Sequence, residues 1–283
     1  MLPSNGVIPL ALLPLLALLT STEPLPPARP IVIGSSYEVA SPTLGDRRRI
    51  NVALPAHYGE PGRRFRVLYL LDGGEAEDFV HIAGLARIAA AYGQGEELIV
   101  VGIEGVDRRH DLTAPSAVPA DRTRLPTAGG AAAYRRFLAD ELKPWVAAHF
   151  RTDGRSALIG ESLAGLFVLQ TLLETPDAFD DYIAVSPSLW WNGGSLVREA
   201  AGDLRRGRFS GKRLFLAFET PAPPADVAAR ERAQQDAVAS ALSTAAPADL
   251  RYTVARLDEG HGSIYHPAAW QALRALYATP PGK

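Results

Sequence analysis

Residues 156–173 read SALIGESLAGLFVLQTLL, and this stretch decides the fold. Its first residues are small or apolar, as in a strand buried on both faces. From Leu163 onward the apolar residues continue at a length and spacing that suit a helix. At the joint, Gly160-Glu161-Ser162-Leu163-Ala164-Gly165 has the form G-x-S-x-A-G. Small residues two before and two or three after the Ser permit a strand-to-helix turn sharp enough to project its oxygen above a sheet. The reading is a β-strand at 156–159, a helix at 163–173 and a nucleophile, Ser162, between them.

Working outward, the apolar pattern switches repeatedly between short β-rich runs and longer helical stretches, which predicts a layered α/β domain with a mostly parallel sheet. Eight strands are expected, at 36–40, 48–54, 66–71, 98–103, 156–159, 182–185, 213–218 and 250–257. The first two alternate and flank Leu44-Gly45-Asp46, so they predict an antiparallel hairpin at the sheet edge. VLYLL and LIVVGI are continuous apolar runs, as interior strands should be. Helices are expected at 77–91, 131–149, 163–173, 226–243 and 267–277. The segment 106–130, VDRRHDLTAPSAVPADRTRLPTAGG, is too long for an ordinary connection and is placed beside a ligand.

Composition narrows the function classes. At 283 residues with 47% hydrophobic content, the chain can bury a large core, which excludes disorder. The 29 basic and 31 acidic residues leave a net charge of -2, so no overall field draws nucleic acid or anionic lipid. Cys is absent, which excludes a thiol nucleophile, a disulfide scaffold and any Cys-ligated metal. Residues 7–19, VIPLALLPLLALL, form an apolar run too short to span a bilayer and interrupted by two prolines. Its length suits a secretory h-region, although no Lys or Arg precedes it. The expectation is a signal-like segment and Pro-rich linker over 1–30, a single catalytic domain over 31–283, and export to a periplasmic or secreted location rather than the cytoplasm. Oligomeric state is not readable from the chain.

A Ser hydroxyl needs a base within hydrogen-bond reach. Of six His, His261 stands in the glycine-flanked loop Asp258-Glu259-Gly260-His261-Gly262-Ser263, after a late strand and before the last helix. That is the carboxyl edge of the sheet, where ligands bind, and it follows the Ser in chain order. His266 is the near alternative. His57, His81, His110 and His149 read as structural or surface residues, and no H-x-x-x-H or H-E-x-x-H spacing points to a metal. An oxyanion hole requires backbone N–H donors. Leu163 supplies one by position, and the turn Asp72-Gly73-Gly74 after VLYLL is the source of the other. For the acid, Glu219 stands directly at the end of RLFLAF, with Asp226, Glu231 or no acid at all as the alternatives. Trp190, after YIAVSP, and Arg109, in the long segment, are candidate substrate contacts together with Asp72.

These residues converge on a resemblance. YLLDG (69–73), IVVGIEGVDRRHDLT (99–113), IGESLAGLFVL, AVSPSLWWNGG (184–194) and EGHGSIYHPAAWQALRAL together resemble the putative-esterase branch of the α/β-hydrolase superfamily, which includes esterase D, the trilactone siderophore esterases and the mycolyltransferases. The likeness runs from about Tyr37 to Tyr277. It implies an α/β-hydrolase fold, with a mostly parallel eight-stranded sheet and helices on both faces. It further implies Ser162 as nucleophile, His261 as base and the N–H groups of Gly74 and Leu163 as oxyanion donors. The expected activity is cleavage of a small carboxylic ester, of siderophore or aryl type, through an acyl-enzyme and without a cofactor or metal. An acyltransferase and a silent binding scaffold are the alternatives. The chain departs from the family at Glu161 and Ala164, where His and Gly are usual, and after Glu219, where Pro-rich sequence replaces a glycine turn.

Overall fold

The computed structural model describes residues 27–220 and 224–278. The apolar segment at 7–19 and residues 221–223 of the turn before Asp226 lie outside them. In chain order the strands are β1 (Ser35–Ser41), β2 (Asp46–Ala53), β3 (Phe65–Leu71), β4 (Leu98–Ile103), β5 (Thr152–Glu161), β6 (Asp181–Val185), β7 (Arg213–Glu219) and β8 (Arg251–Leu257). They form one sheet in the order β1-β2-β4-β3-β5-β6-β7-β8. β1 and β2 pair antiparallel at one edge, β2 runs antiparallel to β4, and the remaining pairs are parallel. The eight expected strands are all present, each within a few residues of its predicted bounds.

Alternation along the strands builds two cores. In β3, Leu68 and Leu70 face one side of the sheet, and Val67, Tyr69 and Leu71 the other. The first face is covered by α1 (Phe79–Ala91) and α9 (Tyr265–Tyr277), through Ile82, Ala86, Ala268 and Leu273. The second is covered by a helical run, by α6 (Leu163–Glu174) and by α7 (Trp191–Arg206) and α8 (Ala225–Ala245). α6 is buried from Leu163 to Leu173, which its apolar sequence requires.

Three helical features depart from expectation. The helix predicted over 131–149 is α4 (Ala131–Arg136) and α5 (Lys143–His149), joined by a wider π-helical turn at Phe137–Leu142. The long segment at 106–130 contains two short helices, α2 (Arg108–Asp111) and α3 (Pro119–Arg124). α7 escapes a sequence reading because Asn192, Gly193 and Gly194 take left-handed backbone at φ 50°, 60° and 76°, so its start reads as a turn.

The long segment is fastened down from several directions. Buried Arg48 and Asp111 form an ion pair. Trp191 Nε1 donates to Ala114 O at 3.0 Å, and Ala117 N–H donates to Asn192 Oδ1 at 2.9 Å. The segment thereby becomes one wall of the cavity at the carboxyl edge of the sheet.

Candidate active site

Ser162 sits between the last residue of β5 and the first of α6 with φ 61° and ψ −116°. A non-glycine residue holds such backbone only when its surroundings impose it, at a cost of about 1–3 kcal/mol. They do so here: Ser162 N–H donates to Val185 O at 3.0 Å, and Ser162 O accepts from Leu166 N–H at 2.9 Å and Ser188 N–H at 3.0 Å. The glycine before the turn has a packing cause. A Cβ at position 160 would come within 2.5 Å of the Ala164 Cβ.

The ends of four adjacent strands supply the rest. Ser162 follows β5, Ser186 follows β6, Glu219 ends β7 and His261 lies in the loop after β8. His261 Nε2 is 3.0 Å from Ser162 Oγ. Its other nitrogen, Nδ1, lies 2.7 Å from Ser186 Oγ and 3.4 Å from Glu219 Oε1. Burial alone would raise the Glu219 carboxyl, but hydrogen bonds from His261 and Ser186 outweigh it and hold the group below the usual carboxylate range. The hydrogen bond to Glu219 pulls the His261 imidazole above its ordinary value against the opposing effect of burial, with the Glu161, Glu219 and Glu231 charges adding to the rise. Glu161 faces the same ring: its Oε1 is 3.4 Å from His261 Nε2 and has no hydrogen-bond partner among the described residues. Burial pushes that carboxyl up to about 7, with His261 and Arg108 opposing the rise.

Beside Ser162 opens a cavity of about 520 Å³, within the range of small-molecule sites. Its walls include Arg108, Arg109 and Arg124 from the long segment, Trp190 after β6, and Glu231 from α8. Arg124 stacks its guanidinium 4.4 Å from the Trp190 ring centroid. Trp191, by contrast, is a core residue. Leu163 lines the cavity at the first turn of α6, where the helix dipole favours an oxyanion.

The turn at 72–74 behaves differently from expectation. Gly74 N–H donates to Glu77 Oε2 at 2.6 Å, and Gly105 N–H approaches the same oxygen at 3.3 Å. The second expected oxyanion donor is therefore already taken by a carboxylate of the chain itself. Asp72 is not among the cavity-lining residues either: Arg108 grips its carboxylate through Nη2 at 2.8 Å and Nε at 3.1 Å. That pairing follows from sheet topology, which sets the turn after β3 beside the segment after β4.

Among the alternatives, Asp226 is exposed on α8 and pairs with Arg230, whereas Glu231 reaches the cavity wall. His266 pairs with Asp78 at 2.9 Å and is not beside Ser162. His57 pairs with Glu97, and His110 with Asp111. Sequence reasoning missed Ser186 and Ser188, the latter with its Oγ 3.3 Å from Ser162 Oγ. Their signal was present in VSPSLWW, which directly follows a buried strand adjacent to β5.

Comparisons with known proteins bear on the whole arrangement. Residues 41–251 match the model of the family described as "Putative esterase". The ferri-bacillibactin esterase BesA of Bacillus subtilis is 38% identical over 148 residues, which cover 47% of this chain and 50% of that protein. The siderophore enterobactin esterase of Emericella nidulans is 31% identical over 212 residues, covering 66% and 68% respectively. The matched stretches thus span from half to about two thirds of these curated relatives. Among solved structures, the IroE-like serine hydrolase of Shewanella oneidensis superposes with a TM-score of 0.79 at 27% identity, covering 86% of this chain and 80% of that one. With an eight-stranded, mostly parallel sheet clothed by helices on both faces and a family match across most of its length, the chain belongs to the esterase family of the α/β-hydrolase fold.

Proposed function

We propose that this chain is a serine esterase that cleaves small carboxylic esters of siderophore or aryl type through an acyl-enzyme. The observation that carries the reading is the 3.0 Å contact between His261 Nε2 and Ser162 Oγ, backed at Nδ1 by Ser186 and Glu219. His261 takes the Ser162 proton as the oxygen bonds to the ester carbonyl carbon. Leu163 N–H and the start of α6 stabilise the resulting oxyanion. As the intermediate collapses, the C–O bond to the alcohol breaks and His261 returns its proton to the departing oxygen. Water then repeats the sequence on the acyl-enzyme, with His261 as base, and releases the acid with Ser162 restored.

The substrate class rests on the cavity. Arg108 is held by Asp72, so Arg109, Arg124 and the Trp190 indole favour a flat, anionic group, to which guanidinium gives charge-assisted contacts and Trp190 a stacking face. A relative named as a siderophore enterobactin esterase and another named as a ferri-bacillibactin esterase point the same way. The apolar run at 7–19 supports export, and cell fractionation of the full chain checks it.

The test is direct. Labelling with a fluorophosphonate, then turnover of p-nitrophenyl esters and of a catecholate trilactone, should be abolished or reduced by several orders of magnitude in Ser162→Ala. Normal turnover in that variant overturns the acyl-enzyme route. Turnover of simple esters with none of the trilactone retains the route and removes the siderophore assignment.

A further inference from the structure

Away from the catalytic cavity, the fold collects three ligand-type side chains that the sequence keeps apart. Asp78 is the residue preceding α1, His81 lies in the first turn of that helix, and His266 lies in the first turn of α9. Each offers a ligand atom within 4.8 Å of those of the other two. His266 Nε2 is 2.9 Å from Asp78 Oδ1. The His81 and His266 rings meet edge to face with centroids 4.4 Å apart. We propose that Asp78, His81 and His266 bind a divalent transition-metal cation of the zinc class, which fastens α1 to α9.

The donor set selects the ion. Two imidazoles and one carboxylate suit Zn²⁺, Co²⁺ or Ni²⁺, whereas Ca²⁺ and Mg²⁺ take oxygen donors. Bonds of ~2.0–2.1 Å in a tetrahedral site set donors about 3.3 Å apart. The Asp78–His266 pair at 2.9 Å needs only a slight opening to reach that spacing, and the third ligand atom a short closing movement. His81 is exposed, so the ion has access from solvent and water can complete its coordination.

A second observation concerns Asp78. It occupies the position from which an Asp ordinarily caps a helix by accepting N–H bonds, yet its side chain makes no capping bond. Its carboxylate turns across to His266 on the other helix. The local helix chemistry is forgone for a contact between helices, as a ligand role for that carboxylate requires.

The position gives the site a consequence. α1 follows the turn at 72–74, to which it is tied by Asp78 N–H donating to Asp72 O at 3.1 Å. α9 follows the His261 loop. A cation joining the first turns of these helices fixes that turn relative to the catalytic loop, although none of its three ligands lines the cavity. The absence of a metal-type spacing from the sequence is explained by topology: His266 and Asp78 are 188 residues apart and meet only because α1 and α9 share one face of the sheet.

The experiment uses the full chain, stripped with EDTA, freed of chelator and titrated with ZnCl₂ and CoCl₂. Calorimetry should show one equivalent bound at micromolar Kd or tighter, and Co²⁺ should give the visible d–d absorption of a four- or five-coordinate site. A hundredfold excess of Zn²⁺ over Kd should raise Tm by about 5 °C or more. His81→Ala and Asp78→Asn should each weaken binding at least tenfold, while His57→Ala keeps it. Retained fluorophosphonate labelling at Ser162 shows that each variant is folded. Absence of saturable binding to the unmodified chain overturns the proposal, as does binding unchanged in both His81→Ala and Asp78→Asn.

Discussion

Ser186 Oγ lies 2.7 Å from His261 Nδ1, inside the 3.4 Å that separates the same nitrogen from Glu219 Oε1. A hydroxyl that accepts from Nδ1–H still has its own proton to give, and Glu219 is held in the ionised form partly by Ser186. Ser186 and Glu219 thus both face the same imidazole nitrogen, the hydroxyl nearer than the carboxylate. With two oxygens to accept from Nδ1–H, the tautomer protonated there is favoured, and it leaves Nε2 as the acceptor facing Ser162.

The first prediction follows from that shared contact. Glu219→Gln keeps shape and removes charge, and should lower kcat by ~10²–10⁴ with folding retained. Ser186→Ala leaves the carboxylate free to close on Nδ1, so its loss should be nearer tenfold. The double variant should be little worse than Glu219→Gln, because both residues act through one imidazole. Steady-state rates on one activated ester check all three; fully additive losses would show that Ser186 acts apart from Glu219.

The second prediction concerns pH. Protonated His261 cannot accept the Ser162 proton, so kcat/KM should fall as pH drops through the His261 pKa. Because Glu219, followed by Glu161 and Glu231, raises that pKa, the loss should begin above the 6.5 of an unperturbed imidazole. Glu161→Gln removes one of the charges facing the ring and should move the acidic limb to lower pH, with kcat on the plateau within about threefold. A limb that stays in place would show that Glu161 does not set the charge state of His261.

The parts of this molecule that were legible in the sequence are those whose physics is local. The small residues around Ser162, the buried strand before it and the glycines around His261 each announce themselves within a dozen positions. The position of Glu219 was legible because a carboxylate at the end of an interior parallel strand must stand at the carboxyl edge. Ser186 was not, since its role depends on β6 lying between β5 and β7, a fact of strand order. The fate of Gly74 was hidden for a similar reason: nothing in Asp72-Gly73-Gly74 says that Glu77 will turn back to take its N–H.

The third prediction tests the packing of the turn. Since a Cβ at position 160 would stand 2.5 Å from the Ala164 Cβ, Gly160→Ala must displace α6 from β5. It should lower stability by about 1–3 kcal/mol, as overpacking of a dense core does. It should also slow fluorophosphonate labelling by moving Ser162 relative to His261. Ala164→Gly in the same chain removes the opposing methyl but leaves the backbone carbon of residue 164 at 2.8 Å from the added Cβ, so it should recover only a small part of either loss. Urea midpoints and labelling rates measure the two effects; a Gly160→Ala chain as stable as the parent would show that the contact is easily relieved.

The last prediction addresses recognition, where the cavity wall gives a charge-specific expectation. Arg109 and Arg124 both line the space beside Ser162, and Arg124 is braced against Trp190 by its guanidinium lying 4.4 Å from the ring centroid. If these cations hold an anionic group of the substrate, their removal should weaken ground-state binding of charged esters and spare neutral ones. Arg109→Ala and Arg124→Ala should therefore raise KM for an anionic aryl ester roughly tenfold, the value of about 1.4 kcal/mol. KM for p-nitrophenyl acetate should stay within about twofold, and the kcat of neither substrate should fall in proportion. Raising the salt concentration should reproduce part of the effect in the parent chain, because these guanidinium groups face a solvent-open cavity. Trp190→Ala separates stacking from charge: it should raise KM for both aryl substrates, through lost aromatic surface and through a freed Arg124. Equal losses on anionic and neutral esters in the two arginine variants would mean that the wall shapes the cavity without reading charge.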